Sequence, residues 1–134
     1  MNIMEKLIDY FETDLSLFHG KSIPEATILD AETRLGLNFS EEYKDYLKKY
    51  GIAVFSGHEL TGLGCSARTN VIDVTLEQRK QFPDIPINLY VVEETNYDGC
   101  IIWQNVDGTV YVSDTFGRLK KVGDSLAHLY YPEN

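Results

Sequence analysis

Ser40-Glu41-Glu42-Tyr43-Lys44-Asp45-Tyr46-Leu47-Lys48-Lys49-Tyr50-Gly51 reads as one helix with both ends marked. Ser40 offers a side-chain oxygen to unpaired first-turn amides, Glu41 and Glu42 occupy the positive end, and Lys48 and Lys49 the negative end before Gly51. Between the ends, Tyr43, Tyr46, Leu47 and Tyr50 recur at i, i+3, i+4 and i+7, the spacing of a stripe that faces a core.

Working outward toward the N-terminus, the same period continues. Ile3, Leu7, Ile8, Phe11 and Leu15, with Glu5, Lys6, Asp9 and Glu12 between them, predict an amphipathic helix. After a loop at His19-Gly20-Lys21, Ser22 stands three residues before Glu25 as a reciprocal capping pair, and Pro24 suits a first turn. The helix so begun carries Ile28, Ala31 and Leu35 inward and stops at Gly36. A further helix is expected from Thr75, capped with Gln78, to Phe82-Pro83.

Toward the C-terminus the period changes to that of strands: Leu89-Tyr90-Val91-Val92, Cys100-Ile101-Ile102-Trp103 and Thr109-Val110-Tyr111-Val112. Asp107-Gly108 favours a tight hairpin, and a two-residue loop there sets Trp103 opposite Val112 and Gln104 opposite Tyr111, with one face apolar and the other mixed. A short strand over 119–122 and a helix over 124–131, stopped by Pro132, complete the chain. Helices first and hairpin-linked strands second predict an α+β fold, an antiparallel β-sheet with N-terminal helices packed on it, as one domain over 1–134.

Composition bounds the function. With 43% hydrophobic and 25% charged residues, 134 residues can bury one core. No apolar run approaches the roughly 20 residues that span a bilayer. Met1-Asn2-Ile3-Met4-Glu5-Lys6 lacks the flank of a secretory signal, so a cytoplasmic location and no membrane partner are expected. Cys65 and Cys100, the only cysteines, are read as reduced thiols in that compartment. A net charge of −9 argues against direct nucleic-acid binding, which needs clustered Lys and Arg. The charge is also uneven: no Lys or Arg lies between Lys80 and Arg118, whereas Asp84, Glu93, Glu94, Asp98, Asp107 and Asp114 all do. Such an interval either keeps a solvated face soluble or matches a basic partner.

Chemistry finds little to use. Cys65, Cys100, His19, His58 and His128 have no metal-ligand spacing, and Asp107-Gly108 lacks the alternating oxygens of a calcium loop. Gly62-Leu63-Gly64-Cys65-Ser66-Ala67 fits a dinucleotide pattern in letters but has no strand before it and no helix after it, and reads as a flexible loop joining the two halves. No Gly-x-Ser-x-Gly elbow occurs, and Cys100 lies in an apolar strand. Glu93 and Glu94 leave a strand on opposite faces and read as surface charge. No catalytic residue, metal or cofactor is therefore assigned. What remains is tyrosine, nine residues with one Trp, suited to interfaces through large area and a polar tip. The expected partner-binding set is Glu93, Glu94, Tyr97, Asp98, Trp103, Asp107, Tyr111 and Asp114.

The stretch Ile28 to Gly51 resembles the signature of the SUKH superfamily: Glu32, Leu35, Gly36, Glu42, Tyr43, Lys44, Tyr46, Leu47 and Gly51 match, while Phe39-Ser40 stands where Leu-Pro is usual and Ile52 where a second Gly is common. Asp98-Gly99-Cys100-Ile101-Ile102 and Gly108-Thr109-Val110-Tyr111-Val112 look like its sheet region. The resemblance implies an α+β domain without catalytic residues. In bacteria such domains commonly serve as immunity proteins against polymorphic toxins, and eukaryotic relatives regulate cell-wall synthesis. The expectation is an immunity protein that blocks the basic active-site surface of a cognate toxin, a nuclease. The alternatives are a regulatory interaction module without a toxin and, from a different class, a small hydrolase.

Overall fold

Gly36 turns left-handed with φ of 68° and ends α2 (Glu25–Leu35). Four residues further on, Ser40 opens α3 (Glu41–Tyr50) by accepting the Tyr43 amide. The computed structural model describes residues 6–132, so Ile3 and Glu5 of the first expected helix lie outside it. Within those bounds Tyr43, Tyr46, Leu47 and Tyr50 are all buried, as their spacing predicts. Glu32, also buried, accepts the Phe39 amide at 2.7 Å and ties the α2–α3 link to α2.

Three helix boundaries differ from the sequence reading, each because the chain nearby found other hydrogen-bond partners. Ser22 does not cap α2; Pro24 is the capping residue, and the preceding segment is drawn along α3 by bonds from the Gly20 and Ile23 amides to the Ile52 and Leu47 carbonyls. The first helix, α1 (Leu7–Thr13), stops before Leu15, which is fully exposed, because Asp14 Oδ1 takes the Ser16 amide and hydroxyl and turns the chain. α4 (Val71–Gln81) starts one turn before Thr75, capped by Asn70. Thr75 sits inside it, wholly buried, with Oγ1 accepting the Val91 amide.

The strands β4 (Tyr90–Glu94), β5 (Ile101–Gln104), β6 (Val110–Ser113) and β7 (Leu119–Gly123) form a four-stranded antiparallel meander in chain order. Its central hairpin closes through a three-residue loop, 106–108, because Asn105 pairs with Thr109 and its Oδ1 accepts the Asp107 and Thr109 amides. The register therefore moves by one: Trp103 faces Tyr111 and Gln104 faces Val110. Nor is one face mixed. Tyr90, Val92, Ile102 and Val110 join the core under α1, α2, α3 and the C-terminal α5 (Leu126–Tyr130), while Val91, Ile101 and Trp103 pack with Val74 of α4. A sheet roofed on both faces reads as continuous apolar runs, as Tyr90-Val91-Val92 of β4 and Ile101-Ile102-Trp103 of β5 do.

A second sheet escaped the sequence reading. β1 (Phe18–His19), β2 (Ala53–Phe55) and β3 (His58–Glu59) are too short for an alternating pattern to register. Ser56 and Gly57, with φ of 47° and 81°, form the hairpin between β2 and β3. Just after β3, Thr61 donates its amide to Val92 and its hydroxyl to Val91, which joins the small sheet to the edge strand β4. The glycine stretch that follows is a packed crossing, not a flexible joiner: Gly62 donates to Thr69 and accepts from Val71, and the Leu63 amide donates to Gly51.

A polar chain, buried at Tyr90 and Gln104 and half-buried at Glu42, runs from α3 to α5. The Tyr90 hydroxyl donates to Gln104 Oε1 at 2.7 Å, Gln104 Nε2 donates to Glu42 Oε1 at 2.9 Å, and the Glu42 carboxylate accepts the Leu126 and Ala127 amides that open α5. Glu42→Ala leaves those amides without an acceptor and is expected to cost about 1–3 kcal/mol. Faster hydrogen exchange confined to 126–130 is the expected signature, and unchanged protection there would refute the link.

Candidate partner-docking face

Two turns meet at one end of the meander. In the β4–β5 turn the Thr95 amide donates to the Cys100 carbonyl and the Cys100 amide to Tyr97, while Asp98 and Gly99 take φ of 48° and 70°. In the β6–β7 turn Asp114 Oδ1 accepts the Phe116 and Arg118 amides and Oδ2 takes Arg118 Nε at 2.7 Å. The Arg118 amide first, and its side chain next, hold the Asp114 carboxyl below its ordinary range. The turns touch: a Cβ on Gly99 would lie 2.5 Å from the Thr115 methyl. From this rigid end two large rings project without a packing partner from the core, Tyr97 at 76% exposure and Phe116 at 77%, the latter with the Arg118 guanidinium 5.2 Å above it. Rigid aromatic side chains on a fixed turn lose little entropy when covered, the property of interface anchors.

Beside Tyr97 a polar cleft opens between β3 and the edge of β4. One cavity of about 310 Å³ is lined by Glu59, Arg68, Glu93 and Glu94, among others, and a second of about 190 Å³ by His58, Glu93 and Tyr97. Glu93 is 5% exposed, accepting the Tyr130 hydroxyl at 2.6 Å on one oxygen and meeting His58 Nδ1 at 3.1 Å on the other. Burial, then the Glu93 charge, holds the Tyr130 hydroxyl protonated far above its ordinary range, so it acts as a donor. A β-bulge explains the inward carboxylate: Val91 pairs with Trp103 but Glu93 with Ile102, so the residue between is extra and Glu93 rotates toward α5.

The structure thus divides the expected set. Tyr97 and Asp98 lie on the end where the two turns touch, with Asp114 beside them but committed to Arg118. Trp103 is corrected outright: it has no exposure, and its Nε1 donates to Ser113 Oγ inside the core. Glu93 is buried and not surface charge, for the reason just given, whereas Glu94 is exposed and takes Gln78 Nε2. Tyr111 is half-buried against the Trp103 cluster. Asp107 sits in the opposite turn, in a groove of about 500 Å³ with Glu41, Glu42, Asp45 and Asp124. That groove is largely satisfied from within, because Glu41 pairs with Lys44, Asp124 with Lys121, and Glu42 holds α5. The acidic interval is no single acidic face, since β7 lays Lys120 and Lys121 against Val112 and Tyr111 of β6. Phe116 and the His58–Glu93–Tyr130 contact were missed by sequence reasoning. Exposure of a lone ring leaves no periodic signal, and the contact joins residues brought together only by the fold. Among the described residues no group of three or more His, Cys, Asp and Glu is placed to hold a metal ion, both cysteines are free, and no helix is long and apolar enough to cross a membrane.

Residues 2–131 match the family model SUKH_5, described as SMI1-KNR4 cell-wall. The chain belongs to the SUKH superfamily. Among curated proteins none matches it. In this SUKH domain the signature residues are occupied by folding: Glu32 holds the Phe39 amide, Glu42 holds α5, the Tyr43 hydroxyl meets Thr61 Oγ1 at 2.8 Å, and the Tyr46 hydroxyl donates to the Thr61 carbonyl at 2.7 Å. The SUKH signature therefore marks the scaffold, and the exposed rings Tyr97 and Phe116 lie elsewhere, on the turns.

Proposed function

We propose that this chain, as one SUKH domain, is a cytoplasmic immunity protein that binds a cognate toxin and neutralises it without catalysing a reaction. The supporting observation is the pair of unpacked rings, Tyr97 and Phe116, held on touching turns that the core does not need. The partner is a basic nuclease domain: an enzyme that grips phosphates must carry positive charge, and a net charge of −9 on this chain draws such a surface in. Salt is expected to slow association more than it speeds dissociation.

The test is co-expression with the toxin domain encoded beside this gene, followed by binding measurements. Cells survive only with the protein present. Tyr97→Ala with Phe116→Ala weakens binding by roughly 30-fold or more, at unchanged melting temperature, as removal of central aromatic anchors does elsewhere. Equal killing with and without this protein refutes the immunity reading.

A further inference from the structure

We propose that the partner seated on Tyr97 and Phe116 reaches across the neighbouring cleft onto the outer face of the three-stranded sheet, where Phe18 and Val54 form a second apolar anchor for it. The inference rests on the reading of the chain as a partner-binding protein and extends the surface by which it binds.

The two rings alone are too small an interface. At three-quarters exposure they offer about 300 Å² between them, whereas a specific interface takes about 800 Å² from each partner. A protein seated on the turns must therefore cover more of the surface around them.

The small sheet supplies a continuous extension. Phe18 pairs with Val54 and Val54 with Glu59, so the three side chains leave in one row on one face and span about 10 Å at the usual strand spacing. The opposite face is the core side, where Ala53 has no exposure. At one end of the row Phe18 is 78% exposed, with Val54 exposed beside it. At the other end Glu59 borders the cleft of about 310 Å³, whose lining also includes Thr95 and Asn96, the residues that lead into Tyr97. Gly57, in the β2–β3 hairpin, lines the smaller cavity with Tyr97 itself. Phe18 with Val54, and Tyr97 with Phe116, are thus two apolar shoulders flanking one polar cleft.

The second shoulder is as rigid as the first. Ser56, with φ of 47°, donates its amide to Ser16 Oγ, and the Ser16 hydroxyl donates to Asp14, so the hairpin is tied to the corner after α1. Covering a fixed face costs little ordering entropy. A lone exposed apolar side chain is ordinary, but two directly opposed ones beside a second exposed pair make a patch of the kind that marks an interaction site. Glu59 is already matched, gripped by both terminal nitrogens of Arg68 at 2.7 and 2.8 Å, so this shoulder holds a partner by apolar contact and not by charge. The surface that fits is apolar where it meets Phe18 and Val54 and polar where it crosses the cleft.

The experiment uses the full chain and the purified toxin domain encoded beside this gene. Hydroxyl-radical footprinting of the parent complex is expected to protect Phe18 several-fold, together with Tyr97 and Phe116, while Leu29 of α2 stays as reactive as in the free chain. Phe18→Thr with Val54→Thr, changes that keep strand-favouring side chains, weakens binding by roughly tenfold or more. The loss falls on dissociation and leaves the association rate and its salt dependence unchanged, as an apolar contact requires. Leu29→Ala with Leu76→Ala, exposed changes on α2 and α4, binds as the parent does. An unprotected Phe18 in the parent complex, or a Phe18→Thr, Val54→Thr chain that binds like the parent, overturns the proposal. So does a parent chain that sediments as a dimer by itself and as a monomer after the double substitution, because a second copy then occupies the face. No binding by the parent sinks both readings. Binding and cell protection with Phe18 unprotected sink this inference alone, and a complex that protects Phe18 but rescues no cells sinks the immunity role alone.

Discussion

Trp103→Ala is expected to lower the melting temperature by roughly 10–20 °C, the consequence of losing about 3–5 kcal/mol when a fully enclosed indole is removed. The ring has no exposure and fills the space between the sheet and α4 with Val74, Ile85 and Leu89. Its truncation leaves a cavity that the paired strands cannot collapse into and deprives Ser113 Oγ of its donor. Against a total stability of about 5–15 kcal/mol, this is a large fraction. Trp103 is also the only tryptophan, so its fluorescence follows that core directly in the parent protein, moving to longer wavelength as the α4 face opens. Circular dichroism melts of the variant supply the comparison. A variant that melts like the parent yet loses partner affinity would return Trp103 to the interface.

Gly62→Ala is the second large effect, expected to cost at least about 3 kcal/mol. The reason is space, not φ. A Cβ at this position would lie 1.8 Å from the Gly51 carbonyl oxygen and 2.7 Å from Ile52 Cγ2. The segment cannot withdraw, because Gly62 is bonded on both sides, to Thr69 and Val71, and its neighbour Leu63 to Gly51 itself. Gly36→Ala is the control: its φ is positive but nothing lies within 4 Å of the added methyl, so the cost falls to about 1–2 kcal/mol. Urea unfolding of the two variants ranks them. If Gly36→Ala proves the more damaging, the close crossing of 51 and 62 is not what holds this loop.

Both effects show where a sequence stops informing. Trp103 sits in an apolar strand whichever way it points, and the choice between interface and core was made by α4, which covers a face that alternation left open. Gly62 resembled a flexible loop because glycine's freedom and glycine's smallness look identical in letters. Glu93 was read as surface charge, but both faces of β4 are covered, and one extra residue in the strand turns its carboxylate from the Val91 face to the side of Tyr130.

The sequence by itself determined the helices, most of the strands and the superfamily, because Ser40, Gly36 and the tyrosine stripe of α3 act through bonds and spacings within a few residues, or through a periodicity that any window reveals. Only the tertiary structure decided the hairpin register, the three-stranded sheet, the burial of Trp103 and Glu93, and the approach of the two turns that carry Tyr97 and Phe116. Each of those depends on contacts between segments distant in the chain, where one bulged residue turns a side chain to the other face of the sheet and one extra loop residue changes its cross-strand partner.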